Sequence, residues 1–140
     1  MANNLSDYLE AQLLNLIFRT QAAWKPTAIY IGLWTATLTD ASTGATAGEV
    51  SGGSYARVQV TQADAKWTAP GAPGLTDNVD PITFPTPTAN WGTVTDLMIV
   101  DTASGAGNCL FYGALTAPKT INNGDPAPYF AAGALDVTLA

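Results

Sequence analysis

No histidine occurs in the sequence. That removes the side chain that most often acts as general base near neutral pH, and with it the commonest metal ligand. Cysteine is down to one, Cys109, so no internal disulfide can form, and its apolar surroundings mark it as a small core residue. Charge is scarce: 11% of residues are charged where about 25% is usual. The five cations, Arg19, Lys25, Arg57, Lys66 and Lys119, are scattered among eleven carboxylates, for a net charge of -6. Nucleic-acid binding needs clustered Lys and Arg, so nucleic acid is excluded as a partner. No apolar run approaches the roughly 20 residues that cross a bilayer, and no basic-then-apolar leader opens the chain. A soluble protein made in the cytoplasm, with no membrane partner, is expected.

Catalytic motifs are missing as well. Ser-x-x-Lys does not occur, and Thr116-Ala-Pro-Lys119 puts proline where a catalytic helix would break, so Lys119 is read as a loop residue. Asp77, Asn78 and Asp80 offer oxygens to calcium but lack the rest of the loop pattern, and a solvated loop is the better reading. The glycines have no phosphate-loop spacing and are read as turns. Hence no catalytic, cofactor-binding or metal-binding residue is assigned, and the protein is expected not to be an enzyme.

What the chain does have is 47% hydrophobic residues and a length of 140, enough for one domain over 1–140 with a sizeable core. Thr93 to Val100 and Cys109 to Leu115 are β-branched, apolar runs joined by turn formers, a central hairpin over 93–115. Alternation puts Val94, Met98 and Val100 on one face of its first strand and Leu97 and Ile99 on the other, so both faces look buried. Ser6 to Arg19 reads as the one helix, with Ser6 as cap, Asp7 and Glu10 in its first turn and Arg19 in its last. Its stripe of Leu9, Leu13, Leu16 and Ile17 is widened by Leu14 and Phe18, so it must lie on its own sheet or on a neighbouring subunit.

Ile29 to Thr35 predicts a strand with Ile29, Ile31 and Leu33 on one face and Tyr30 and Trp34 on the other. Ala36 to Ser54 has no periodicity and reads as a mobile loop or interaction arm. Tyr55 to Thr61 alternates, with Ala56, Val58 and Val60 inward and Tyr55, Arg57 and Gln59 outward. A Pro/Gly cluster, Ala69-Pro-Gly-Ala-Pro-Gly74, leads to a short edge strand over Ile82-Thr-Phe84. An Asn-Gly turn precedes closing strands around Tyr129-Phe130 and Leu135, Val137 and Leu139. Short strands with one terminal helix predict a mainly all-β fold, an antiparallel β-sandwich of jelly-roll type.

Four tryptophans remain to be placed. Trp34 and Trp91 adjoin apolar strands and are read as core. Trp24 and Trp67 lie in polar or Pro-rich contexts, where protein contact is favoured over sugar stacking. The candidate partner interface is therefore Trp24, Trp67, Leu14, Phe18, Tyr55 and Arg57.

Several short stretches resemble a family of small tailed-bacteriophage virion proteins, labelled tail-fibre or head-decoration (cement) proteins. They are Leu5-Ser-Asp-Tyr-Leu-Glu10, Tyr30-Ile-Gly-Leu-Trp34, Val50-Ser-Gly-Gly-Ser-Tyr-Ala-Arg-Val58, Ile82-Thr-Phe-Pro85, Trp91-Gly-Thr-Val94 and Leu110-Phe-Tyr-Gly-Ala-Leu115. Within that family the likeness is to capsid cement proteins of short-tailed phages. The resemblance implies a virion structural protein on the outer capsid surface, bridging major capsid protein subunits and associating with itself as a homodimer or trimer. It brings no catalytic residues, and a tail-associated fibre or receptor-binding module is the alternative it leaves open.

Overall fold

A computed structural model describes residues 4–71 and 74–139. Its elements run β1 (Asn4–Leu5), α1 (Asp7–Phe18), β2 (Ile29–Trp34), β3 (Val58–Val60), β4 (Leu75–Asp77), β5 (Ile82–Thr83), β6 (Gly92–Val100), β7 (Cys109–Ile121), β8 (Tyr129–Phe130) and β9 (Asp136–Thr138). The class is all-β with antiparallel pairing throughout, as the short, turn-bounded strands predict. One five-stranded sheet has the order β1-β7-β6-β2-β3, and β4-β9 and β5-β8 form two-stranded ribbons.

The central hairpin is the spine of the sheet, and it is longer than expected. β7 continues to Ile121, pairing Lys119 with Val94, so Lys119 lies in a strand and not in a loop. Both faces of β6 are covered. Leu97 and Ile99 enter the main core with Ile31 and Leu33 of β2, Leu110 of β7, Ile82, Phe84, Leu135 and Val137. Met98 and Val100 pack on the other side with Trp34, Leu38 and Cys109. Val94 departs from the expected alternation and joins Leu97 in the main core. The register breaks between Val94 and Asp96, and a bulge shifts the phase of the side chains by one.

The second face exists because of the segment 36–50, which is no free arm. It folds back on β2: Thr35 N–H donates to Gly48 O at 2.8 Å and Val50 N–H to Leu33 O at 3.0 Å. Leu38 is buried beneath it, and its N–H donates to the buried carboxylate of Asp96 at 3.1 Å. The indole of Trp34 donates to Thr46 O at 2.9 Å. An unpatterned sequence can be ordered when backbone and side-chain hydrogen bonds tie it down in this way.

Tyr55 to Thr61 is corrected more sharply. Only Val58–Val60 is strand; Ala56 is exposed, while Arg57 turns inward and is only 6% exposed. β4, a strand not foreseen, pairs with β9, and Asn78 after it is buried, its side-chain oxygen accepting from Leu135 N–H at 2.8 Å. That oxygen is already used within the fold. In the Pro/Gly cluster, Ala72 and Pro73 lie outside the described residues.

α1 starts where Ser6 caps it, accepting from Leu9 N–H at 3.2 Å. The same hydroxyl donates to the carbonyl of Cys109, and Ser6 N–H to Leu110 O at 3.1 Å, so the cap also anchors the helix to β7. Asp7 and Glu10 occupy the positive end of the dipole as expected. The helix stops at Phe18. Arg19 is its C-cap in extended conformation, not a residue of the last turn.

Candidate partner-binding surface

Two regions carry the aromatic and charged residues singled out by the sequence, and they differ in kind. The first is an apolar groove of about 700 Å³. Ile99, Leu110 and Val137 contribute its floor from the sheet and from β9, and Leu9 closes it from α1. Trp24 and Trp67, distant in sequence, both line it. Each is half-buried and positioned by its neighbours: Trp24 meets Tyr8 edge to face with centroids 5.7 Å apart, and the Trp67 indole donates to Thr61 O at 3.2 Å. Lys25 beside Trp24 and Asp64 near Trp67 add one charge of each sign to the lining. Both are exposed, and neither belongs to the two ion pairs among the described residues, Arg57–Glu49 and Lys66–Asp80.

α1 borders this groove and is apolar on both sides. Leu9 and Leu13 face the core. Residues four and seven or eight positions beyond Glu10 share the opposite face. There Leu14, Ile17 and Phe18 stand 58%, 68% and 76% exposed. A surface helix ordinarily keeps a polar outer face, and one that is apolar all round belongs in a buried setting. Leu14 and Phe18 thus sit where a partner can reach them. Ile17, assigned by the sequence pattern to the inward stripe, belongs with them instead, and Leu16 of the same stripe is exposed too.

The second region holds Tyr55 and Arg57, and it is internal. The Arg57 guanidinium lies 5.7 Å from the centroid of the Trp34 ring, pairs with Glu49, and donates to the carbonyls of Gly44 (2.8 Å), Thr102 (3.1 Å) and Gly105 (3.1 Å). The Tyr55 hydroxyl accepts from Leu33 N–H at 2.9 Å and donates to Glu49 at 3.1 Å. Burial raises its pKa above the ordinary phenol value. The expected outward placement of both is overturned: Arg57 pins two loops together, and Tyr55 packs on the main core beside Trp91 and Phe84.

The groove offers a contact area that is largely apolar, with Lys25 and Asp64 in its lining. No group of three His, Cys, Asp or Glu side chains converges among the described residues. A comparison with protein families decides the wider context: the family described as podophage GP4 fiber I protein gp80 matches residues 4–138. The chain belongs to this gp80 family. It is a structural protein of a bacteriophage virion. The gp80 match runs from β1 to β9, so α1, both walls of the groove and the Arg57 cluster all lie within the family's span. No curated protein matches the chain.

Proposed function

We propose that this virion protein works without catalysis, as a cement on the outer surface of the capsid, where it bridges subunits of the major capsid protein. The observation that supports a contact role is the apolar outer face of α1 beside the tryptophan-lined groove. Exposed apolar residues that are contiguous and bordered by polar ones mark protein-contact surfaces. A scarcity of charge suits the same task, since interface cores are depleted in charged residues. Neighbouring shell subunits would hold the protein at several points at once, so modest contacts sum to stable attachment through effective concentration.

A second reading has an observation of its own. The family's description names a fibre protein, which favours a tail-associated fibre or receptor-binding module. There the groove and Trp24 and Trp67 would meet a host surface. Cryo-electron microscopy of particles carrying the protein separates the two. Density on the outer head, lost together with heat resistance when the protein is stripped and regained on adding it back, is the expected result. Density confined to the tail overturns the cement reading in favour of the fibre.

A further inference from the structure

A second cavity, of about 250 Å³, opens at the other end of the central hairpin. It forms where β7 leaves its ladder with β6. Asp96 pairs with Ala114 and Val94 with Lys119, so residues 115–118 stand opposite Thr95 alone. Such an irregularity bends the strand and re-aims its side chains. Leu33, Val94 and Ile121 are buried at the base, while Phe84 and Phe130 meet edge to face, centroids 6.3 Å apart, as an aromatic wall. Lys119 and Tyr129 are exposed and mark the mouth. Among the described residues no carboxylate joins the lining, and Lys119 belongs to neither ion pair.

A protein that bridges two neighbours needs two contact points, because one surface holds one neighbour. The tryptophan groove uses Ile99 of β6 and this cavity uses Val94, about 17 Å away along the strand. We infer that the cavity is a socket for one large apolar side chain of a partner protein, the size of phenylalanine, with an aspartate or glutamate beside it that meets Lys119. This rests on the contact role proposed above and gives that role a second point of attachment. Size selects a single side chain. Sites for whole small molecules run from roughly 300 to 1,000 Å³, whereas about 150 Å³ already holds one benzene ring. Interfaces draw much of their energy from anchors seated in pockets of this kind. Charge selects the neighbouring group. In a chain with eleven carboxylates and five cations, a cation with no carboxylate beside it at an apolar mouth attracts an acid, and the apolar wall reduces the screening of that pair by water.

Phenylacetate carries the same two groups, a ring and a carboxylate, and its binding to the full chain can be followed by amide chemical shifts in nuclear magnetic resonance. Phenethylamine, of similar shape and opposite charge, is the control. Phenylacetate is expected to bind in the millimolar range and to shift residues of the lining. Phenethylamine is expected to bind at least about fivefold more weakly, and Lys119→Glu to reverse that order. Particles stripped of the protein give a second readout. Ala117→Trp fills the mouth from an exposed position and is expected to attach at least about tenfold more weakly than the wild type. Circular dichroism and melting curves establish that both variants fold. No shift in the lining at about 50 mM phenylacetate, or an amine bound as well as the acid, overturns the inference. Ala117→Trp attaching like the wild type also overturns it, and makes the cavity a site for a free organic acid if phenylacetate binds. A wild type that attaches to particles but takes no phenylacetate leaves the virion role standing. One that takes phenylacetate and attaches to no particle removes that role and leaves the socket.

Discussion

Arg57 holds Glu49 with both prongs of its guanidinium, Nε to Oε1 at 2.7 Å and Nη2 to Oε2 at 2.8 Å, in a site where the arginine side chain is almost fully enclosed. The pair joins the end of the 36–50 segment to the turn between β6 and β7, because the same guanidinium reaches the carbonyls of Gly44 and Gly105. Removing one partner of such a pair strands the other charge away from water. Glu49→Ala is expected to lower the free energy of unfolding by about 3 kcal/mol or somewhat more, measured by urea denaturation. A loss below about 1 kcal/mol would mean that water takes over the guanidinium, since Glu49 keeps some exposure.

Alkaline pH should weaken the fold. Burial raises the Cys109 thiol from 9.0 to about 12 and also raises the Tyr55 phenol above 10.0. Above its unfolded value each group loses its proton in the unfolded chain but keeps it in the folded one, so stability is full below about pH 9 and falls as pH rises towards 12. Melting temperatures recorded between pH 7 and 11 should decline from pH 9 upward. Cys109→Ala should flatten the first part of that decline. A wild-type curve level to pH 11 would contradict the burial of both groups.

Gly32 lies under the ring of Trp34, and a Cβ placed there would come within 2.6 Å of it. The ring is fully buried, so it has little room to retreat. Gly32→Ala is expected to destabilise the protein by about 1–3 kcal/mol through overpacking. An unchanged denaturation midpoint would show that the indole does not occupy this place.

Leu38 N–H donates to the buried carboxylate of Asp96, which ties the 36–50 cover to the middle of β6. Asp96→Ala leaves that N–H without its partner. Amide hydrogen exchange should then accelerate across residues 36–48, while β2 and β6 retain protection. Equal acceleration in the strands would mean that the cover and the sheet open as one unit.

Much of the fold can be read from local pattern. The alternation of Ile31 and Leu33 against Tyr30 and Trp34 assigns the two faces of β2 correctly, and the apolar runs on either side of the 101–108 turn identify the central hairpin. Ser6, followed by acids at Asp7 and Glu10, marks the helix start. Pattern fails where a single residue changes the phase, as at the bulge that moves Val94 to the other face. It fails again at Arg57, whose charge in an alternating run reads as outward. Its burial depends on carbonyls at Gly44, Thr102 and Gly105, which lie far away along the chain.

The candidate surface divides in the same way. Trp24 and Trp67 stand out by composition, but that they line one groove depends on the path of the chain over the sheet. Ile17 had a detectable signal, since a 12-residue helix with apolar residues at 9, 13, 14, 16, 17 and 18 has more than one core-facing stripe can hold.

By itself the sequence determined the all-β class, the single helix and its cap, the two-sided burial of the central strands, and the lack of histidine and of clustered cations. These follow from local periodicity and side-chain chemistry, which act within a few residues. The tertiary structure alone decided that 36–50 is a cover, that Arg57 is a buried clasp, and that the outer face of α1 lies beside the tryptophan groove. Each of those depends on contacts between segments far apart in the chain, and these form only once the sheet has brought the segments together.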